Sequence, residues 1–435
     1  MGFEPRWADR ADQGVRPTTY ARLGISVPIS PARTAVFDIL RKVEKGGFAS
    51  DLLLADTAAL PSRDAGLAAE IVFGVLRYRA QLDYLIEHYS GHRRKLDSEV
   101  RIALRMGIYQ LRYLERIPAH AAVTDAVELV KRAKKRSATG FVNAVLRQVD
   151  RDPVAWPSRE VELACPEWLL ARWERHYGTE TATGIARAAL KQPEAYFRVP
   201  VGRTPWSAAD ALVGPLGMQP DVNSIAEAGS GGTRADQGVR PTKVEDLPPA
   251  RRQDIGSQSI VPLLRLAPGH SFLDLCAAPG NKTAQALESG AHAVACDIHF
   301  QRIVQMKILT PNLVVLDGAR PLPFSRLFDR ILVDVPCCGT GTLGRNPEIK
   351  WRLTPADLED LPRRQAALLA NARTALAPGG LLVYATCSLE PEENEAVVAS
   401  VPPELIVETM RRIPGRDSGD GFFATVIKSE YPANG

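Results

Sequence analysis

The apolar periodicity of this 435-residue chain changes once along its length, and that change limits the available folds more than any other feature. Over residues 31 to 149 the stretches ARTAVFDILRKVEKG, RDAGLAAEIVFGVLRYRAQLDYLIEHY, SEVRIALRMGIYQLRYLERI, HAAVTDAVELVKRA and ATGFVNAVLRQVDRD place apolar residues at i, i+3, i+4 and i+7. That spacing predicts a compact helical bundle, punctuated at Gly46-Gly47, Pro61-Ser62, Gly91 and Pro118 and closed by Asp152-Pro153. From about Asp254 onward, short β-rich runs at 272–275, 293–296, 313–316, 331–333 and 381–384 alternate with helical stretches. Alternation of this kind predicts an α/β domain, a parallel sheet with helices on both faces. Its ligands should bind outside the carboxyl ends of the strands. The expected organisation is a tail over residues 1–29, a helical domain over 30–152, a connecting subdomain with an inserted loop over 153–250, and an α/β domain over 251–430.

Composition agrees with a folded chain of two or three domains. Hydrophobic residues make up 45% and charged residues 24%, so disorder is excluded as the main state. The chain has no apolar run near the 18 or so residues of a membrane span, and its charged start, MGFEPRWADRADQG, does not read as a leader; a cytoplasmic protein is expected. The six cysteines, Cys165, Cys276, Cys296, Cys337, Cys338 and Cys387, lack metal-ligand spacing, which leaves a thiol nucleophile as the favoured role for any functional one. No metal is expected.

The net charge of +4 hides an uneven distribution, because residues 101–150 hold ten lysines and arginines against four acids. Within them Lys131, Arg132, Lys134, Lys135 and Arg136 end one helix and overhang a loop, a place suited to phosphate contact; a merely solvated helix face is the alternative. The nonapeptide RADQGVRPT occurs at residues 10–18 and again at 234–242, with no fixed period. A repetitive insertion in surface loops is favoured over a paired binding arm.

Chemistry collects after the predicted strands. The stretch from Asp274 to Thr283, DLCAAPGNKT, reads as strand, small-residue turn and helix start, where the backbone can approach a ligand. Asp297 and Asp317 end the next two runs, placed for ribose hydroxyls and an adenine edge respectively. DVPCCGTGTLGRNPEIKWR follows the fourth run and YATCSLEPEEN the fifth, which puts thiols at two neighbouring strand ends. Access and thiolate character, both needed for nucleophilic catalysis, are easiest at such a mouth.

These three blocks resemble the S-adenosylmethionine-dependent RNA (cytosine-5)-methyltransferases. The helical region resembles a NusB-like RNA-binding domain, and the pairing resembles the RsmB/Sun branch, which methylates a 16S ribosomal RNA cytosine. The likeness covers about residues 30–429 and includes GDGFFATVIK, similar to the family's closing strand pair. It implies a Rossmann-like domain in which Cys387 attacks carbon-6 of cytosine, Cys337 assists loss of the carbon-5 proton and release, and Asp334 bonds the polar edge of the base. It implies cofactor contacts at Cys276, Ala277, Ala278, Pro279, Gly280, Lys282, Asp297, Arg302, Asp317 and, in part, Asp334. Asn281 stands where the family usually has a second glycine, Cys338 stands where serine is common, and residues 229–242 look like an addition. Cys338 leaves open which thiol does the second job.

The implied substrate is 16S ribosomal RNA, naked or in a partly assembled small subunit, and the implied state is a monomer. The same chemistry on transfer RNA, and an inactive RNA-binding assembly factor, are the alternatives.

Overall fold

The computed structural model describes residues 29–91, 95–198 and 251–432. Both copies of the duplicated nonapeptide, and the addition at 229–242, lie outside them. The chain divides into two compact units, one of residues 1–190 with 344–352, the other of 191–343 with 353–435.

The first unit is helical, as the periodicity requires. Helices Pro31–Val43, Ser62–Arg77, Arg79–Tyr89, Ser98–Tyr113, Ala119–Arg132 and Thr139–Arg147 bury one apolar stripe each in a common core that includes Phe37, Ile71, Leu85, Leu104, Leu129 and Val142. The stretch read as one helix over 63–89 is two. Tyr78 leaves helical geometry at φ −101°, its ring stacks on Tyr113 at 4.5 Å, and its hydroxyl donates to Leu190 O at 2.9 Å. Tertiary contacts, not a breaker residue, end the first helix there. A helix the periodicity missed, Ala49–Asp56, buries only Ala49 and Leu53, too little to register as a stripe. Helices Glu167–Tyr177 and Thr179–Leu190, read as part of a connecting subdomain, belong to this unit.

Close approach of helices sets the packing. A β-carbon built on Gly74 would stand 1.9 Å from Tyr109 Cζ, so the glycine is what lets the Ser62–Arg77 and Ser98–Tyr113 helices meet. Overpacking of this severity is expected to cost about 3 kcal/mol. Gly74→Ala should therefore lower the urea midpoint of the purified protein; an unchanged midpoint would mean that Tyr109 swings clear without loss.

Short-range segment Gly344–Arg352 also belongs to the helical unit, although it follows the second block of cysteines in sequence. Lys350, 1% exposed, donates to Arg77 O at 2.9 Å, the Trp351 indole donates to Leu76 O at 2.7 Å, and Glu348 accepts from Ala49 N at 3.0 Å. Burial lowers the Lys350 ammonium to about 8.

The second unit holds a short pair, β1 (Phe197–Arg198) with β2 (Arg251–Arg252), and a seven-stranded sheet. The sheet comprises β3 (Ser271–Asp274), β4 (His292–Asp297), β5 (Leu313–Val315), β6 (Phe328–Asp334), β7 (Leu376–Thr386), β8 (Ile406–Arg412) and β9 (Phe422–Lys428), in the order β5-β4-β3-β6-β7-β9-β8. Strands β3 to β7 are parallel, and β9 is antiparallel to both β7 and β8, so the sheet is mixed where the alternation predicted a parallel one. No helix intervenes between β8 and β9, which is why a direct antiparallel return is available there.

Alternate residues of the central strands enter opposite cores. Ile331, Val333, Leu382 and Tyr384 pack with helix Asp357–Thr374, while Leu332, Val383 and Ala385 pack with Ile260, Leu264 and Ala286. A sheet covered on both faces exposes only its strand ends. The strand order reverses between β3 and β6, and a crevice at that switch point is where such sheets take ligands.

Candidate active site

The turn after β3 is shaped by one glycine. Gly280 has φ +101° and caps helix Asn281–Leu287; a side chain there would meet Leu309 and Met306 at 2.8 and 3.1 Å. Asn281 is the first helical residue, so the left-handed position falls on Gly280 and the asparagine side chain is accommodated. Behind the turn Asp274 is 1% exposed and accepts from Thr283 Oγ1 at 2.6 Å, while its other oxygen lacks a partner.

Burial raises the Asp274 carboxyl to about 7. An acid whose pKa rises on folding binds its proton more tightly in the native state, so its charging weakens the fold as pH climbs from about 4 through 7. Asp274→Asn, which keeps the acceptor for Thr283, should leave urea stability near wild type at pH 4.5 and raise it by up to a few kcal/mol at pH 8. Equal differences at the two pH values would assign Asp274 an ordinary titration.

In front of the turn lies a cleft of about 330 Å³ at the carboxyl ends of β3, β4, β6 and β7. Seven of the residues expected to touch a cofactor line it: Cys276, Ala278, Lys282, Asp297, Arg302, Asp317 and Asp334. Ala277, Pro279 and Gly280 build the turn without lining this cleft. Asp297 ends β4 and accepts from Ala278 N at 3.2 Å and His299 N at 2.8 Å, which ties the two strand ends together and orients its carboxylate. Asp317, two residues past β5, accepts from Ala319 N at 3.1 Å and faces Arg364 at 3.7 Å. Arg364, His299 and Phe422 also line the cleft; Phe422 falls within GDGFFATVIK without being picked out as a site residue, and Arg364 sits on a long helix whose local pattern reads as solvated surface.

Both thiols reach this cleft. Cys387 follows β7, Cys337 follows β6, and their sulfurs are 3.3 Å apart. The hydrogen bond with Cys387 comes first, then burial, in raising the Cys337 thiol well above its usual range, so Cys337 holds its proton against the neighbouring sulfur. Lys282 lies close by, its Nζ 2.6 Å from Asp334 Oδ2. Burial disfavours its charge, but Asp334 outweighs burial and, with the Cys387 sulfur adding to the same effect, keeps the ammonium raised.

Of the remaining cysteines, Cys165, Cys296 and Cys338 are buried, and Cys276 is half-buried at the cleft wall. Cys338 turns away from the cleft, its sulfur 3.2 Å from Ser388 Oγ, and burial raises its thiol, as it raises those of Cys276 and Cys296, the last to about 12. The Pro336–Cys338 turn is clamped from below. Glu393, fully buried, accepts from Cys338 N at 2.9 Å and from Gln365 Nε2 at 2.8 Å, and Gln365 also donates to Pro336 O at 3.0 Å. The same loop closes on the other thiol, because Gly341 N donates to Cys387 O at 2.9 Å. Glu393 lies within YATCSLEPEEN, whereas Gln365 is distant in sequence and could not be found without the fold.

In the helical unit the basic run is half neutralised. Lys131 pairs with Glu128 at 2.5 Å, Arg132 with Asp38 at 2.7 Å and Lys135 with Asp97 at 2.9 Å; Lys134 and Arg136 are exposed and have no carboxylate partner among the described residues. Among the described residues there is no cluster of His, Cys, Asp and Glu able to hold a metal, and no helix is long and apolar enough to cross a membrane.

A Rossmann-like sheet with acids at the ends of β4 and β5, apolar Leu275, Leu316 and Leu368 lining the same cleft, and a thiol pair at the switch-point crevice combines hydrogen-bond acceptors with apolar wall, a chemistry that suits S-adenosylmethionine and a methyltransferase. Comparison with known proteins agrees. The model of the 16S rRNA methyltransferase RsmB/F family matches residues 261–405, and that of the NusB family matches residues 30–151. The ribosomal RNA small subunit methyltransferase B of Yersinia pseudotuberculosis serotype O:1b (strain IP 31758) is 34% identical over 403 residues, covering 85% of this chain and 92% of the relative. The protein of the same name from Yersinia pestis gives the same figures. The crystal structure of PH0851 shares the fold, with a TM-score of 0.68 at 20% identity over 93% of this chain and all of that one. The chain belongs to the RsmB/F methyltransferase family, with a NusB domain at its N-terminal side, and its cofactor is S-adenosylmethionine.

Proposed function

We propose that this protein methylates carbon-5 of a cytosine in 16S ribosomal RNA through a covalent adduct with Cys387. The observation that carries the reading is the pair of sulfurs 3.3 Å apart at adjacent strand ends, in the same cleft as Asp297, Asp317 and the Lys282–Asp334 pair. Carbon-5 of an aromatic pyrimidine is a poor nucleophile, and a thiolate adding at carbon-6 turns it into an enamine-like one. The bound cofactor supplies an electrophilic methyl group on a sulfonium. Asp297 and Asp317 hold the cofactor by its ribose and adenine, and Asp334 accepts from the exocyclic amine of the base. Lys282 steadies the Cys387 thiolate before attack.

Cys337 acts after methyl transfer. Its thiol is held protonated chiefly by its bond to the Cys387 sulfur. Once Cys387 is a neutral thioether on carbon-6 that restraint is gone, so Cys337 gives its proton to solvent water and its thiolate takes the carbon-5 proton. Loss of that proton restores the carbon-5 to carbon-6 double bond and expels the Cys387 thiolate. The target base must leave its stack to reach the cleft, as bases do in enzymes that act on them.

Incubation of purified protein with S-adenosylmethionine and deproteinised 16S RNA, partly assembled small subunits or transfer RNA, followed by nucleoside mass spectrometry and bisulfite mapping, tests the assignment. 5-Methylcytosine at one position of 16S RNA is expected. A methyl group only on transfer RNA, on another atom, or on nothing despite cofactor binding would replace this reading.

The Lys131, Arg132, Lys134, Lys135 and Arg136 run contributes to RNA affinity through its uncompensated members. Lys134→Glu with Arg136→Glu is expected to weaken RNA binding about tenfold at low salt and to reduce the salt slope by about two. An unchanged slope would make the run a solvated face.

A further inference from the structure

The helical unit contains a second cleft, of about 430 Å³, which methyl transfer does not use and whose walls all belong to that unit. Four guanidinium groups line it, from Arg79, Arg101, Arg105 and Arg352, with the indole of Trp351. Of the acids at the cleft, Glu348 spends one oxygen on Ala49 N at 3.0 Å and leaves the other without a partner, and burial raises its carboxyl, which favours the neutral form; Asp83 and Glu44 are bound to Arg105. Arg105 takes both oxygens of Asp83 at 2.7 and 2.8 Å and Glu44 Oε1 at 3.0 Å, and Ser98 donates to Glu44 Oε2 at 2.5 Å. Arg79 is left without a hydrogen-bond acceptor or ion pair among the described residues; its guanidinium lies 5.6 Å from the centre of the Trp351 ring. Burial and then the Arg105 charge lower its pKa, and the more distant Asp83 and Glu44 only partly offset them.

The indole beside it is fixed in advance. Trp351 Nε1 donates to Leu76 O at 2.7 Å, and the neighbouring Lys350 is anchored to Arg77 O at 2.9 Å, so the wall is formed before any ligand arrives. A half-buried guanidinium with no anion in direct contact, next to a rigid aromatic and apolar wall, matches a group that carries a phosphate on one side and a flat ring on the other. The cleft volume is within the range that encloses one such unit.

We propose that this cleft is a subsite for one nucleotide of single-stranded RNA, with Arg79 and Arg352 on its phosphate and the Trp351 wall against its base. The choice of RNA over a free nucleotide rests on the reading of the chain as an RNA methyltransferase; the residues are separate from that reaction's cleft. The site holds substrate away from the chemistry, so it should govern affinity and leave cofactor binding untouched.

The test measures binding of a fluorescein-labelled single-stranded oligoribonucleotide, about 15 nucleotides long, to the full chain across a salt series, with S-adenosylmethionine affinity and thermal melting as controls. Arg79→Ala is expected to weaken RNA binding about tenfold and reduce the salt slope by about one, with Arg79→Lys recovering most of both and the controls unchanged. Should Arg79→Ala melt early, Arg352→Ala, which alters an exposed side chain, carries the same readouts. RNA affinity within twofold of wild type and an unchanged slope would overturn the proposal. So would cytidine monophosphate binding as tightly as the oligonucleotide and lost with Arg79, which would make the cleft a free-nucleotide site. If wild type methylates 16S RNA while Arg79→Ala and Arg352→Ala bind RNA normally, only this inference fails; if Arg79→Ala loses RNA affinity while wild type methylates no RNA, the inference stands and the proposed reaction fails.

Discussion

Cys387→Ala is expected to lower methyl transfer to RNA by about 10⁴-fold or more, because it removes the atom proposed to make carbon-5 nucleophilic. S-adenosylmethionine affinity should change little, since the acids proposed to hold the cofactor belong to other strand ends. Tritium transfer from labelled cofactor to 16S RNA measures the loss, and calorimetry measures cofactor binding. Cys387→Ser should be nearly as inactive, since a hydroxyl holds its proton far more tightly than a thiol does. Multiple turnovers by Cys387→Ala would sink the covalent route while leaving the fold and the family assignment intact.

Cys337→Ala is expected to stall one step later. Attack and methyl transfer need Cys387 alone, whereas loss of the carbon-5 proton needs a base beside it, and Cys337 is 3.3 Å from the attacking sulfur. The variant should transfer about one methyl per enzyme and then stop, with the RNA bound covalently and visible as a band that survives denaturing electrophoresis. Cys338→Ala should turn over without such a band, because Cys338 is buried against Ser388. A trapped adduct in Cys338→Ala instead of Cys337→Ala would transfer the role to the other thiol. Together the two variants separate the order of events, attack before release, from the mere presence of two cysteines.

Much of this site is legible in the chain because its parts lie at strand ends. A β-strand followed by a small-residue turn has a local signature, and DLCAAPGNKT, DVPCCGTG and YATCS each carry one. The acids at Asp297 and Asp317 are legible for the same reason. What the local pattern does not encode is the partner across space. Gln365 reaches Pro336 O and Glu393 from a helix, and Arg364 reaches Asp317 from the same helix, at sequence separations of 28 or more. The basic run shows the converse: five cations read as one positive patch until the fold brings Asp38 and Asp97 beside two of them.

By itself the sequence determined the two architectures, the strand ends that carry chemistry and the two thiols, because periodicity and turn chemistry act over a few residues. Only the tertiary structure decided which thiol faces Cys387, where the helix over residues 63–89 breaks, which way β9 runs, and that Gly344–Arg352 packs with the helical unit, where its tryptophan lines a cleft with an unpaired arginine. Those outcomes depend on contacts between residues tens to hundreds of positions apart. Each is settled by burial and hydrogen-bond satisfaction in the folded core, which no local window of the chain contains.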